Sequence, residues 1–263
     1  MPRTLDETYS RMLLGIDEKY QVQARLVLQW LSFSSKSLSF SQIADICVTN
    51  VERRPFVQEV DRKPMEGIVV VLSALIQVSY DAADWEASDD PMVSLAHASV
   101  KDYLCSSRIR SSPSSFFAIG SIDFIYEMAQ LCLAYILHVT EISDAHVHES
   151  QVDWLDRFPL LEEAVTRWSI YQSQAEYAIN SPWKPGLELV LLNNNYEARL
   201  RHKVQRVPSV PGRAAYQPLY AACMLDLPRT VALLCGLELE GAHVDDLSAA
   251  LKYVSLYEKP GSI

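Results

Sequence analysis

Three times in the first 105 residues a serine or threonine is followed three positions later by Glu, Gln or Asp, next to apolar residues at helical spacing. The stretches are Thr4-Leu5-Asp6-Glu7, Ser39-Phe40-Ser41-Gln42 and Ser99-Val100-Lys101-Asp102. Each has the form of a capping box, in which the hydroxyl accepts from a first-turn N–H and the later side chain reaches back to the cap's own N–H. A chain punctuated in this way builds its first part from several short helices, each with one apolar face to cover.

The first box predicts a helix from about residue 5. Leu5, Tyr9, Met12, Leu13, Ile16 and Tyr20 recur at three- and four-residue steps and form its face. A second helix through Phe33 carries Ala24, Val27, Leu28 and Leu31 with Trp30, and a third carries Ile43, Ala44, Ile46 and Cys47. After a polar loop with Pro55 and Pro64, residues 65–75 are rich in Val and Leu, and a short apolar run of this kind suits helix or strand. Residues 76–80 and 92–96 read as strands joined by the acidic, turn-prone "DAADWEASDDP", a β-hairpin with a long tip. Three helices and such a hairpin make the winged-helix pattern. The third box starts a helix expected to run to about Ile109.

Beyond Pro113 the chain reads as helical. Ile125, Met128, Ala129, Cys132, Tyr135 and Ile136 repeat at helical spacing within 123–138, as do Leu161, Ala164, Val165, Trp168 and Tyr171 within 155–171. Pro182, Pro185, Pro208 and Pro211 bracket a further helical piece at 187–203, and "VPSVPG" reads as a linker before a last module near Ala214.

Charge narrows the partners. With 33 acidic against 23 basic residues the formal net charge is −10, a field that repels phosphate backbones and anionic lipid. The longest charge-free stretches, 67–80 and 128–140, fall short of the roughly 18 to 20 apolar residues a spanning helix needs, so no transmembrane segment is expected. Acidic residues at the N-terminus stand where a secretory signal would be apolar, and a cytoplasmic location is expected. Five scattered cysteines, Cys47, Cys105, Cys132, Cys223 and Cys235, form no C-x-x-C and read as reduced thiols used for packing.

The segments "PRTLDETYSRMLLGID", "LQWLSFSSKSLSFSQIADI" and "VSLAHASVKDYL", in this order and spacing, resemble the winged-helix segment that follows the NACHT nucleotide-binding domain in fungal STAND proteins. The same segment also names a GPI inositol-deacylase winged-helix family. The resemblance covers roughly residues 2–117, and "FFAIGSIDFIYEMAQLCLAYIL" with "FPLLEEAVTRWSIY" is similar to the helical stretch that continues those proteins. Farther on, "QPLYAA", "LPRTVALL" and "GAHVD" resemble one ankyrin repeat, with Gln217 and Tyr220 where threonine and histidine are usual. A repeat stack needs about three units to bury its faces, so this one is expected to pack on the helical module or to belong to a longer protein. The expected fold is mainly α: a winged-helix domain at 1–118 with a small β-hairpin, a helical module at 119–206, and a partial ankyrin-like helix pair at 214–263.

The resemblance implies regulation without catalysis in this chain. The family hydrolyses nucleotide with a G-x-x-x-x-G-K-[ST] loop, and none of the eight glycines here stands in that pattern. The chain begins where the family's NACHT domain ends, so it is expected to be a shortened form. It also lacks the G-x-S-x-G elbow that would go with the deacylase name. The expectation is a non-enzymatic regulatory fragment without a cofactor, which in a full-length protein couples nucleotide state to a repeat sensor. Its partners would be proteins, among them a NACHT-containing chain, and not nucleic acid or membrane. One alternative is a nucleic-acid-binding winged helix, which the absence of Lys and Arg from "SFSQIADICV" and the acidic wing oppose. The other is a remnant of a deacylase-like hydrolase.

His97 is the one candidate site residue. By resemblance it stands where the family's histidine contacts a bound diphosphate, which here requires a NACHT domain on another chain. Read from its neighbours alone, it bonds local backbone at a strand-to-helix junction while Ser99 and Asp102 cap the helix. Both roles stay open, with catalysis or metal binding a distant third. Asp144, His146, His148 and Glu149 are metal-ligand types, yet without a cysteine or third histidine nearby they read as a solvated loop. Trp85 is the odd residue of the acidic tip, and Trp154, Phe158, Trp168 and Tyr171 read as core.

Overall fold

The computed structural model describes residues 4–34, 36–80, 90–145, 154–178, 184, 186–193, 222–223 and 225–234. In them the protein is mainly helical with a small three-stranded antiparallel sheet. Two units divide the chain, residues 1–49 with 58–124 and residues 50–57 with 125–263.

In the first unit, α1 (Leu5–Leu14) starts as its capping box predicts, with Thr4 Oγ1 accepting from Glu7 N at 3.2 Å. It stops sooner than the apolar spacing implies. The Gly15 N–H closes onto Arg11 O, and Asp17, accepting from Lys19 N at 3.1 Å, opens α2 (Glu18–Phe33). Ile16 and Tyr20 therefore lie off α1. The three-residue connection is close to one helical turn, so the periodicity runs across the break in phase and hides it.

A two-residue strand, β1 (Leu38–Ser39), precedes α3 (Phe40–Val48), whose capping box is complete: Ser39 Oγ accepts from Gln42 N and Gln42 Oε1 accepts from Ser39 N. The ambiguous run at 65–75 is settled by one-sided burial. It holds α4 (Glu66–Leu72), which buries Ile68 and Leu72 one turn apart and leaves Val70 71% exposed. Then β2 (Ile76–Ser79) and β3 (Met92–Leu95) pair antiparallel, with Ile76 opposite Leu95 and Ser79 opposite Met92. On the other edge of β3, Leu38 lies opposite Val93 and Ser39 opposite Met92, giving the order β1-β3-β2. The expected hairpin is thus the larger part of a three-stranded sheet.

The start of α3 is tied to the hairpin. Phe40 N donates to Pro91 O at 3.1 Å, and Ser41 N donates to the Asp90 carboxylate at 3.2 and 3.3 Å. With Ser39 Oγ on Gln42 N, three successive first-turn amides have acceptors. Asp90, which the sequence places in a solvated tip, instead closes a helix end. Residues 81–89, with Trp85, lie outside the described residues.

The helix expected from Ser99 to Ile109 is two, α5 (Ala98–Leu104) and α6 (Ser107–Arg110). Ser106 separates them by donating to Tyr103 O and accepting from Ile109 N. Apolar residues from α1, α2, β1, α3 and α4 fill the unit, Leu13, Leu28, Trp30, Leu38, Ile43 and Leu72 among them. One charge is buried with them: Asp45 of α3 is fully covered and accepts from Arg62 Nε at 2.6 Å.

Helix α7 (Ser121–Ala145) carries the chain into the second unit, which adds α8 (Trp154–Arg157), α9 (Leu161–Tyr177), α10 (Leu187–Asn193) and α11 (Pro228–Leu234). The single helix expected over 155–171 is broken at Phe158-Pro159, because proline has no N–H for the helical ladder. Trp154 stacks on Phe158 at 5.9 Å and 11°, Phe158 meets Tyr135 edge-on, and Phe158, Trp168 and Tyr171 are buried core residues, while Trp154 is only half-buried. Arg54, in the 50–57 segment, forms an ion pair with Glu141 of α7 and lies over the Phe56 ring.

From Met128 to Leu137 nearly every residue of α7 is buried, the pattern of a central helix apolar all round. By length and composition alone, Ile122–Ser143 would suffice to cross a bilayer, with mean hydropathy 1.3 and 67% of it buried inside the protein. Counting charge-free residues overlooks this helix, because it includes isolated acids such as Glu127, and a buried core helix meets the same two measures. Residues 194–203, and all of the ankyrin-like 214–263 except the short pieces at 222–223 and 225–234, lie outside the described residues.

Candidate functional site

His97 ends the strand side of the β3-to-α5 junction in extended conformation and is itself the N-cap of α5. Its Nδ1 accepts from Ser99 N at 3.1 Å, and Ser99 Oγ lies 2.7 Å from the same nitrogen and 2.7 Å from Tyr9 OH. The expected arrangement is therefore shifted by two residues: Ser99 is inside the first turn, and the imidazole does the capping. Nδ1 accepts, so in the neutral ring the hydrogen is on Nε2. A consistent chain of donation runs from Tyr9 OH to Ser99 Oγ to His97 Nδ1, which fixes the ring and ties α5 to α1. The His97 residue is exposed, and Nε2–H is a donor suited to an anion.

The metal-type residues His146, His148 and Glu149 fall outside the described residues, as do the surroundings of the Asp144 side chain. Among the described residues no group of three or more His, Cys, Asp or Glu side chains could hold a metal ion. Cys47, Cys105, Cys132 and Cys223 are in no disulfide. Burial pushes Cys47 up to about 11 and also raises Cys105 and Cys132, so at neutral pH these three stay protonated and weakly nucleophilic.

A second constellation, which the sequence does not announce, lies where α7, α9, α10 and α11 of the second unit meet. Glu176, in the last turn of α9, is fully buried and accepts four hydrogen bonds. Its Oε2 takes Arg229 N at 2.8 Å and Thr230 N at 3.1 Å, and its Oε1 takes Thr230 Oγ1 at 2.6 Å and Gln172 Nε2 at 3.2 Å. Gln172 Oε1 in turn accepts from Gln130 Nε2 of α7 at 3.4 Å. Two further contacts join α9 to the α11 region: Arg229 donates to Ala178 O, and Tyr177 OH donates to Asp226, whose φ of 56° is left-handed.

Glu188 of α10 is a further buried acid. Its Oε1 accepts from Gly186 N at 3.0 Å, while its Oε2 is buried with no hydrogen-bond partner. Burial raises both carboxyls. For Glu176 the hydrogen bonds from Thr230, Gln172 and Arg229 counteract it. Glu188 is pushed up to about 7, chiefly by burial and further by the charge of Glu176, against hydrogen bonds at the start of its own helix and from Gln130. A carboxyl so placed exchanges its proton near neutral pH. The sequence signal was slight: one acid within the apolar "LELVLL" of α10.

No family model matches the chain, and no solved structure matches it. Among curated proteins it is similar to azaphilone pigments biosynthesis cluster protein L of Monascus ruber, with 30% identity over 138 residues. That match takes in 52% of this chain and 29% of the relative, so the chain aligns with less than a third of the relative's length.

Proposed function

We propose that this chain is a non-catalytic regulatory and protein-interaction module, a winged helix with a helical arm. In a complete protein it would couple the nucleotide state of a NACHT domain to a repeat-type sensor. The observation that carries the reading is the element order α2, β1, α3, α4, β2, β3 with the sheet order β1-β3-β2. It supports three helices and a wing, with one short strand between the first two helices returning to the hairpin. The docking of α11 on α9 through Glu176 supports the second half of the reading: "LPRTVALL", one piece of the ankyrin-like segment, is anchored to the arm.

In this reading His97 presents Nε2 to a diphosphate held by a separate NACHT-containing chain, and the protein works in the cytoplasm without a cofactor of its own. A nucleic-acid partner is disfavoured by charge: neither α3 nor the hairpin-adjacent α4 contains Lys or Arg, and the net charge is −10. The relative's name states a gene cluster and no reaction, so it favours neither an enzyme nor a binding module.

The test is binding of the purified chain to an ADP-loaded NACHT domain from a fungal STAND protein, run beside a random-sequence DNA duplex at low salt. The expected result is binding to the first only, weakened in His97→Ala by more than the variant's loss of thermal stability accounts for. Tight, salt-sensitive DNA binding, or steady hydrolysis of nucleotide or ester, would overturn the proposal.

A further inference from the structure

Glu188 Oε2 is buried without a hydrogen-bond partner beside Gly186. Built outward from Gly186, a Cβ would meet Gln130 Oε1 at 3.5 Å, Glu188 Oε2 at 3.6 Å and Lys184 O at 3.7 Å. Each of the three oxygens therefore lies within 3.7 Å of that one point. Gln130 gives one of its two Nε2 hydrogens to Gln172 and also hydrogen-bonds the Glu188 carboxyl, and Lys184 O accepts from Tyr126 OH at 3.3 Å. From α9 the nearest charge is Glu176, of the same sign. From α11, the Arg229 guanidinium is engaged with Ala178 O, and Thr230 spends its donors on Glu176. No lysine, arginine or histidine among the described residues pairs with Glu188. Gly186 N and Gln130 donate to the carboxyl, but Oε2 itself is buried without a hydrogen-bond partner, and among the described residues the ionised group meets no counter-charge, only the like charge of Glu176.

We propose that Glu188 is a proton-operated latch on α10: protonated, it keeps the helix seated against α7 and α9, and when it gives its proton to solvent the first turn of α10 is released. The proposal is independent of the regulatory function above. The sign follows from linkage. The carboxyl is raised in the folded state, from 4.5 to about 7. Its contribution is fully present below the unfolded value and is lost as pH rises through the folded one. The released turn carries with it the seat of Leu191 and Leu192, which are buried in the closed state.

The experiment is amide hydrogen exchange on the full chain, corrected for the intrinsic pH dependence of exchange, with α10 compared with α9 in each sample. Protection of α10 is expected to fall roughly tenfold between about pH 6 and about pH 8, given the raised carboxyl, while α9, whose Glu176 is raised and hydrogen-bonded, falls less. In Glu188→Gln the fall should disappear, because the amide cannot ionise. Flat α10 protection in the wild type, or an equal fall in α9, overturns the latch. So does a fall that persists in Glu188→Gln. Should that variant fail to fold, the wild-type comparison of α10 with α9 decides alone.

Discussion

Replacing Glu176 with alanine removes the acceptor on which α11 is docked. Four donors lose their partner: Arg229 N, Thr230 N, Thr230 Oγ1 and Gln172 Nε2. They do not cost the same. Thr230 is fully buried, so its N–H bears the whole penalty of an orphaned donor, about 1–3 kcal/mol. Arg229 N is only part-buried and recovers some of its loss from water, and the Thr230 hydroxyl can turn to a carbonyl of its own helix. Removing a buried carboxylate also relieves desolvation, which offsets part of the loss. The net is about 2–3 kcal/mol of local docking energy, or roughly a 30- to 150-fold loss of protection. Hydrogen exchange of 228–234, referenced to the α7 core, reads it directly. Glu176→Gln keeps one carbonyl oxygen for the two backbone amides and should lose no more than about a third as much free energy. Unchanged α11 protection in the alanine variant would refute the reasoning, as would glutamine being as damaging as alanine, since then charge and not acceptor geometry holds the helix.

Asp45→Ala removes the buried partner of a part-buried Arg62 that keeps Glu59 at 3.8 Å, and should destabilise the first unit by about 1.5–3 kcal/mol, measured by urea unfolding; a loss under about 0.5 kcal/mol would mean that the pair is solvated. Asp90→Ala should cost about 1 kcal/mol of thermal stability by freeing Ser41 N, and added salt should not reproduce the loss if the contact is a helix cap and not a long-range field. Cys47, held at about 11, should react with iodoacetamide at about pH 8 on the order of a hundredfold more slowly than a free cysteine; a comparable rate would show the thiol to be accessible.

Local signals were legible in the sequence, and tertiary ones were not. The capping box at Ser39 and Gln42 is complete because it depends on four adjacent residues. β1 escaped notice because two residues cannot show alternation, and its strand character comes from Val93 and Met92 more than fifty positions away. The α1–α2 break was masked by a connection one turn long, although Gly15 and Asp17 carry the stop and start signals. His97 does sit at the junction its neighbours indicate, but the sequence points to Ser99 and Asp102 as the caps, since hydroxyl and carboxylate are the commoner ones. Glu176 and Glu188 could not be found this way. Burial of a carboxylate depends on what packs over it, and for Glu176 that is Thr230, 54 positions along the chain.

Ser39 belongs at once to a strand and to a helix: it lies opposite Met92 in the sheet, and its hydroxyl caps α3. The linker between those two elements has length zero. An inserted or deleted residue there would shift the strand register by one position or turn the helix about 100° out of phase, with no loop to absorb the error. Length variation among homologous chains should therefore avoid this junction altogether, and a gap placed there in an alignment would mark the alignment as wrong.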